Sequence, residues 1–277
     1  MSNTFNINRF GKYMAYDLKS RWKDQWLFLV VFAILPMIFH LIFLFFAALG
    51  QDGFAAFISG TPIARPPLVL RIIMFFVVAG LFFILFPSRA YGFLTEKAPG
   101  TDWIGLPASR LEKFLSMMLT CLVIVPCMFF VVYLLSDGIV CLVDKHCETS
   151  LFKAWLDFDL VKDGAPFKLG AKGLWFLINW TLQTVSVFLL GALIFKKGKI
   201  AKTILTLFLI SMVSSMITAA IASSIDPDSI MTFIETWAEN HLDKLDLWFN
   251  LLTNASLVLV VGGLGLWSWF KVKNLQH

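Results

Sequence analysis

Few residues in this chain have the types and spacing needed for chemistry. The clearest group is Cys141, Asp144, His146 and Cys147. These residues could bind a metal ion, but their spacing matches no known zinc pattern, so we predict no metal site. Cysteines that face an oxidising compartment form disulfides. We therefore predict a disulfide between Cys141 and Cys147, with two free thiols as the remaining alternative.

Motifs for catalysis and nucleotide binding are absent from the sequence. There is no HExxH, no GxSxG and no GxGxxG that opens a helix. The stretch from Gly191 to Lys199 resembles a P-loop, but its glycines are too far apart and Ile200 replaces the required Ser or Thr. We therefore expect that the chain is not an enzyme and that it binds neither a cofactor nor ATP itself.

Two long apolar stretches, 174–195 and 204–225, contain uncharged polar residues. Those that we single out are Asn179, Gln183, Ser211, Ser214 and Ser215. Singly, such residues hydrogen-bond neighbouring membrane helices, at about 0.6 kcal/mol each. As a set they could line a substrate pathway, which is the interpretation we favour for the two stretches together.

Six apolar stretches determine the architecture. The chain of 277 residues is 58% hydrophobic and 15% charged, whereas soluble domains are about 45–50% apolar and about 25% charged. Each stretch is long enough to cross a hydrocarbon core of about 30 Å as a helix. In lipid, a single segment can pair its own backbone N–H and C=O groups only as a helix. We predict an all-α integral membrane protein with one six-helix transmembrane domain over residues 26–273. The spans are 26–49, 68–86, 114–135, 174–195, 204–225 and 248–270.

Lysine and arginine lie mainly on one side of these spans. Fifteen of the 23 basic residues fall in the N-terminal segment, the second and fourth connections and the C-terminal tail. Because basic loops stay in the cytoplasm, we expect both termini to be cytoplasmic and loops 136–173 and 226–247 to be outside. The net charge of +5 then reflects topology and lipid contact rather than nucleic-acid binding. The centres of the spans contain no Asp, Glu, Lys or Arg, and His40 in the first span is the one ionisable exception. Arg71 lies near the end of a span and is expected to snorkel.

Residues 1–25 carry an apolar stripe at helical spacing. The stripe consists of Phe10, Met14, Leu18 and Trp22, with Tyr13 beside it and basic residues outside it. This pattern predicts a cytoplasmic amphipathic elbow helix at the membrane surface. The alternative is a basic segment whose only role is to set the membrane topology of the chain.

The connection between the second and third spans has a distinctive pattern. An acidic residue precedes Gly-Thr, and a short run then leads to Pro-x-Ser and the charged start of the third span. The matching positions are Glu96, Gly100, Thr101, Leu106, Pro107, Ser109, Arg110, Glu112 and Lys113. With six spans, internal termini and the elbow, this pattern resembles permease subunits of the type 2 ABC exporter family. The run between Gly-Thr and Pro-x-Ser is shorter here than is usual in that family.

The resemblance implies a short cytoplasmic coupling helix that contacts a separate ABC ATPase, on which ATP and Mg²⁺ would bind. It also implies a dimer with a second permease copy or a homologous permease, in the bacterial cytoplasmic (inner) membrane. The expected function is export by alternating access. Since the span centres carry no charge, we expect a lipid-like, peptide or amphiphilic cargo. The alternative is a non-transporting anchor or sensor whose external loops bind a ligand or partner.

The residues of this connection also predict where its helices begin. Ser109 can cap the third span, with Glu112 at the third helical position, which forms a capping box. Pro107 separates this start from the preceding short helix, which Thr101 or Asp102 can cap. A simple helical hairpin turn is the alternative explanation of the whole segment.

Overall fold

The computed structural model describes residues 5–50, 66–96, 100, 103, 105–144, 147, 150–153, 170–223 and 245–274, and within these ranges it contains helices and no strand. Six helices are long and apolar enough to cross a membrane, as hydropathy predicts. They are α1 (Ile7–Gly50), α2 (Leu68–Tyr91), α3 (Arg110–Val143), α4 (Gly170–Ile194), α5 (Lys199–Ser223) and α6 (Leu245–Leu257 with Gly263–Lys273). π-helical turns at Thr120–Ile124 and Val258–Gly262 interrupt α3 and α6.

The first helix is longer than the predicted span. It continues without a break from Ile7 to Gly50, so the predicted elbow is not a separate helix. The physical reason is that no Gly or Pro lies between Gly11 and Pro36 to interrupt the backbone hydrogen bonds. The buried face also differs from the predicted stripe, because Tyr13 and Asp17 are buried whereas Trp22 is 48% exposed.

The third helix extends beyond its predicted end. It runs to Val143, so the helix continues into the part of the chain that was predicted to be a loop from residue 136. Ser136 and Asp137 are buried within this last part of the helix. Most of the predicted outer loop 226–247 lies outside the described residues, as do Thr101 and His146.

The core is a cluster of aromatic rings shared by α1 to α4. Phe82, which is fully buried, stacks on Phe28 of α1 at 5.3 Å and on Phe129 of α3 at 4.6 Å. Phe83 and Phe76 of α2 pack edge-on against Trp180 of α4. Such offset and edge-to-face contacts are the preferred geometries of aromatic pairs, so these rings fix how the four helices pack.

The fifth helix contacts this bundle through its first turn. Thr203 is buried against Gly191 of α4, where a Cβ atom would overlap the Thr203 hydroxyl oxygen. Glycine is therefore required for this close approach. Every described side chain between residues 204 and 221 of α5 is exposed. We call the end of the bundle with Glu96, Lys199 and Lys273 the inner end, and the end with Cys141 the outer end; these names follow the topology expected from the basic residues and serve here only as labels.

Candidate functional site: the connection between the second and third helices

The connection at the inner end is built from short turns. A 3₁₀ turn at Gly92–Thr95 directly follows α2. Of the described residues that come next, Gly100, Trp103 and Gly105 are helical, and the Gly100 N–H donates to the Glu96 carbonyl at 3.0 Å. Among the described residues, the chain is therefore helical directly after α2 and again at Gly100, Trp103 and Gly105, and bends at 106–108 separate this part from α3.

The start of α3 is the predicted capping box, which the structure confirms. The Ser109 hydroxyl accepts from the Glu112 N–H at 3.3 Å, and the Glu112 carboxylate accepts from the Ser109 N–H at 2.8 Å. Two N–H groups that the helix leaves without partners are thereby satisfied. The cap fixes the direction in which the chain enters α3.

Glu112 also fastens the start of α1. Both of its oxygens accept from Arg9, through Nε and Nη2 at 2.7 Å each, and the Asn6 N–H donates at 2.9 Å. The Glu112 side chain is fully buried. Glu112, which the sequence pattern placed both in the capping box and among the residues of the coupling connection, is therefore turned inward.

Asp17 of α1 is a second buried acid that the sequence reasoning missed. Its carboxylate accepts from the Tyr91 hydroxyl at 2.8 Å and from the Ser116 hydroxyl at 3.1 Å. Arg21 donates to the other carboxylate oxygen, and its guanidinium lies 4.3 Å from the Phe93 ring centroid. One carboxylate thus joins α1 to both helices that flank the connection.

Two lysines hold the connection itself. Lys113 Nζ donates to the Trp103 carbonyl at 2.7 Å and lies 5.1 Å from the Trp103 ring centroid, in cation–π geometry. Lys199 at the start of α5 donates to the Gly92 carbonyl at 2.7 Å and forms an ion pair with Glu96 at 3.0 Å. The connection is therefore fixed to α3 on one side and to α5 on the other.

The tip of the connection is open to the surroundings. Glu96, Gly105, Pro107 and Arg110 are exposed. By contrast, Gly100 is buried, and Leu106 is partly buried against the core. The predicted coupling residues therefore divide into an exposed group and an inward-facing group.

The segment 191–199, which resembles a P-loop in sequence, has a structural role in this fold. Gly191 permits the close contact with Thr203 described above, and Gly198 has a φ of +62°, the left-handed conformation that favours glycine. Together they form the tight corner between α4 and α5. Lys199 follows that corner and is engaged with Glu96 and Gly92.

The predicted pathway residues are not brought together. Gln183 donates to the Asn179 side chain at 3.3 Å and to Ser256 of α6 at 3.0 Å. The other three, Ser211, Ser214 and Ser215, lie on the exposed part of α5. The α4 residues therefore form a contact between helices, which is the simpler of the two roles considered for such residues.

The outer end contains a separate polar cluster around Arg71. Its guanidinium donates to Asp137 through Nε at 3.2 Å and Nη2 at 2.5 Å, and both side chains are buried. Arg71 thus does not snorkel as expected, because α3 supplies an acid within reach. The Asp137 carboxylate also accepts from the Leu151 N–H at 2.8 Å.

A disulfide joins Cys141 and Cys147 beside this ion pair. Arg71 donates to both sulfur atoms, at 3.1 and 3.2 Å. His40 of α1 contacts Asp144 at 3.2 Å. Within the described residues, no group of three His, Cys, Asp or Glu side chains could hold a metal ion.

Comparison of the chain with protein-family models, with curated proteins and with solved structures gives no match. The features of the chain that bear on its function are therefore the sequence pattern of residues 89–113 and the geometry of the inner end. That geometry joins two membrane helices through one short connection with an exposed tip. Such an arrangement can convert a push on the tip into relative movement of α2 and α3.

Proposed function

We propose that the chain is the membrane-spanning permease subunit of an ABC exporter, which moves its substrate by alternating access. A separate ATPase subunit would bind ATP and Mg²⁺ and drive the movement. The resemblance of residues 89–113 to the connection of type 2 exporters supports this proposal. So do six helices long and apolar enough to cross a membrane.

The single observation that carries the proposal is the dual character of the connection. Its inner side is fastened by buried contacts, of which Lys113 with Trp103 is the most direct. Its tip presents Gly105, Pro107 and Arg110 outward. A lever needs both a rigid attachment and an accessible contact surface, since a flexible loop would absorb a displacement instead of transmitting it.

The proposal includes an orientation and an assembly. The distribution of basic residues supports cytoplasmic termini in a bacterial inner membrane, so a cysteine introduced at Lys197 should be labelled only from the inside. Labelling from the outside would contradict this topology.

A second permease copy, or a homologous permease, completes the transporter. The described side chains of α5 from 204 to 221 are all exposed, and a second copy could cover them.

The test is to change the connection without unfolding the bundle. Glu96→Lys reverses an exposed charge and removes an exposed ion pair, which contributes only about 0–1 kcal/mol to stability. Gly100→Pro removes the N–H that donates to the Glu96 carbonyl. The tagged chain is purified from its native membrane, and bound ATPase and stimulated ATP hydrolysis are measured. We expect both variants to insert and to lose ATPase association.

The matched control is Lys153→Glu, a reversal of an exposed charge at the outer end. This variant should retain the ATPase at the level of the native chain. If Glu96→Lys and Gly100→Pro also retain it fully, with unchanged ATP hydrolysis, the coupling role is wrong. The anchor or sensor would then be the better description of the chain.

A further inference from the structure

An elongated apolar cavity lies between α3 and α4 in the outer half of the bundle. Its volume is about 480 Å³. On α3 its lining extends from Leu122 to Leu134, and on α4 from Leu174 to Leu182. Phe152, which follows the outer polar cluster in the chain, lines its outer end. Val131 lines the cavity and is 58% exposed, so the cavity opens sideways toward the space around the bundle.

The chemistry of the lining excludes water as a stable occupant. Thr181 and Cys127 are the lining residues with polar side-chain atoms. The Thr181 hydroxyl already donates to the Leu177 carbonyl at 2.8 Å. A buried water needs two to four polar partners, and an empty cavity loses the dispersion contacts of its lining. Hydrocarbon is the filling that satisfies both conditions.

The dimensions identify the kind of hydrocarbon. The lined part of α3 is about 18 Å long at 1.5 Å per residue, close to half of a hydrocarbon core of about 30 Å, which is one leaflet. An extended acyl chain spans one leaflet, so its length and its apolar surface match the lined length and the lining of this cavity, which is open sideways at that depth.

We propose that this cavity is a binding site for one acyl chain of a membrane phospholipid, which enters sideways between α3 and α4. The headgroup would remain at the outer end, beyond Leu134 and Leu174. This site goes beyond the proposed export function because it requires neither an ATPase nor a second copy. It is also distinct from ordinary lipid contact on α5, because none of the residues that line this cavity belongs to α5.

The test uses the purified full chain in dodecyl maltoside, with no ATPase present. The probe is a phosphatidylethanolamine that carries a diazirine on one acyl chain. Photolabelling should be saturable, should be displaced by unlabelled phosphatidylethanolamine and should map to 122–134 and 174–182. Val131→Trp and Thr181→Phe add bulk to the cavity, and each should reduce saturable labelling about tenfold, which corresponds to about 1.4 kcal/mol. Ile210→Trp adds bulk to exposed α5 and should leave it unchanged.

Cys127 provides a second readout that does not depend on variants with added bulk. Cys121 is buried and the other two cysteines form the disulfide, so Cys127 is the accessible thiol among the described residues. Its alkylation by N-ethylmaleimide should become slower as phosphatidylethanolamine is added. Uniform, non-saturable labelling together with an unchanged alkylation rate would overturn the site and would leave the proposed coupling to an ATPase unaffected.

Discussion

The two ends of the bundle both bury acids, but they hold them differently. At the inner end, Asp17 and Glu112 accept hydrogen bonds from partners far away in the sequence, and no covalent bond supports them. At the outer end, Asp137 of α3 is paired with Arg71 of α2, and a disulfide joins Cys141 in the last turn of α3 to Cys147 just beyond it. Both ends thus hold their helices together by non-covalent contacts, but at the outer end a disulfide also fixes the backbone beside Arg71.

This difference suggests where movement is easiest. Non-covalent contacts between helices can exchange partners as the helices shift. The inner end also carries the exposed tip of the connection, with Gly105 and Pro107 outward. We therefore expect the inner end to rearrange when a partner pushes on it, while the outer end keeps α2 and α3 together near Arg71.

The largest loss of stability is expected from removing one partner of the ion pair at the outer end. Arg71→Leu leaves Asp137 charged and buried with the Leu151 N–H as its remaining described donor. Removing one partner of a buried pair is destabilising by about 3–5 kcal/mol. The measurement is thermal unfolding of the purified chain in dodecyl maltoside.

The matched variant for that prediction is Arg71→Leu combined with Asp137→Leu. Replacing both charges with apolar groups removes the unpaired charge, so the double variant should regain most of the lost stability. Additive losses in the double variant would show that the two side chains do not act as a pair.

A loss of comparable size is expected at the inner end from Asp17→Leu. This change leaves the hydroxyls of Tyr91 and Ser116 buried without their acceptor, at about 1–3 kcal/mol for each of the two groups, and removes the carboxylate partner of Arg21. Asp17→Asn keeps one acceptor oxygen and should be milder. Thermal unfolding of the two variants side by side provides the check. Equal effects would mean that the hydrogen bonds to Asp17 are not what stabilises this end.

The disulfide should contribute about 2 kcal/mol, because it closes only a short loop in the unfolded chain. Cys141→Ser with Cys147→Ser, or reduction of the native chain, should lower the unfolding midpoint accordingly. Mass spectrometry after alkylation, with and without reductant, determines whether the bond is present. Two free thiols in the native protein would show that no covalent bond supports the outer end.

Hydropathy predicted six helices because the run of apolar residues alone determines a span. The start of α3 was equally predictable, since a capping box is formed by residues three positions apart, Ser109 and Glu112. Both features depend on short stretches of sequence. The continuity of α1 could also have been inferred, because the segment after Gly11 contains no residue that breaks a helix until Pro36.

The buried acids could not be recognised in the same way. Asp137 follows an apolar stretch and therefore resembles the first residue of a loop, while its partner Arg71 lies on another helix. Asp17 lies among basic residues that indicate a solvated surface, and its partners Tyr91 and Ser116 are distant in the sequence. The one local signal for Asp17 was its spacing of four from Tyr13 and from Arg21, which places the three on one face of a helix.

The most direct test of the central claim is a steric block at the tip of the connection. Gly105 is exposed, and a Cβ atom there would meet nothing within 4 Å, so Gly105→Trp should fold normally and project from the surface. Gly11 is equally open on α1, and Gly11→Trp is the matched control. Co-purification of the ATPase with each variant is measured, alongside thermal unfolding. We expect Gly105→Trp to lose the ATPase at unchanged stability and Gly11→Trp to retain it. Full retention of the ATPase by Gly105→Trp would show that the connection is not the ATPase contact.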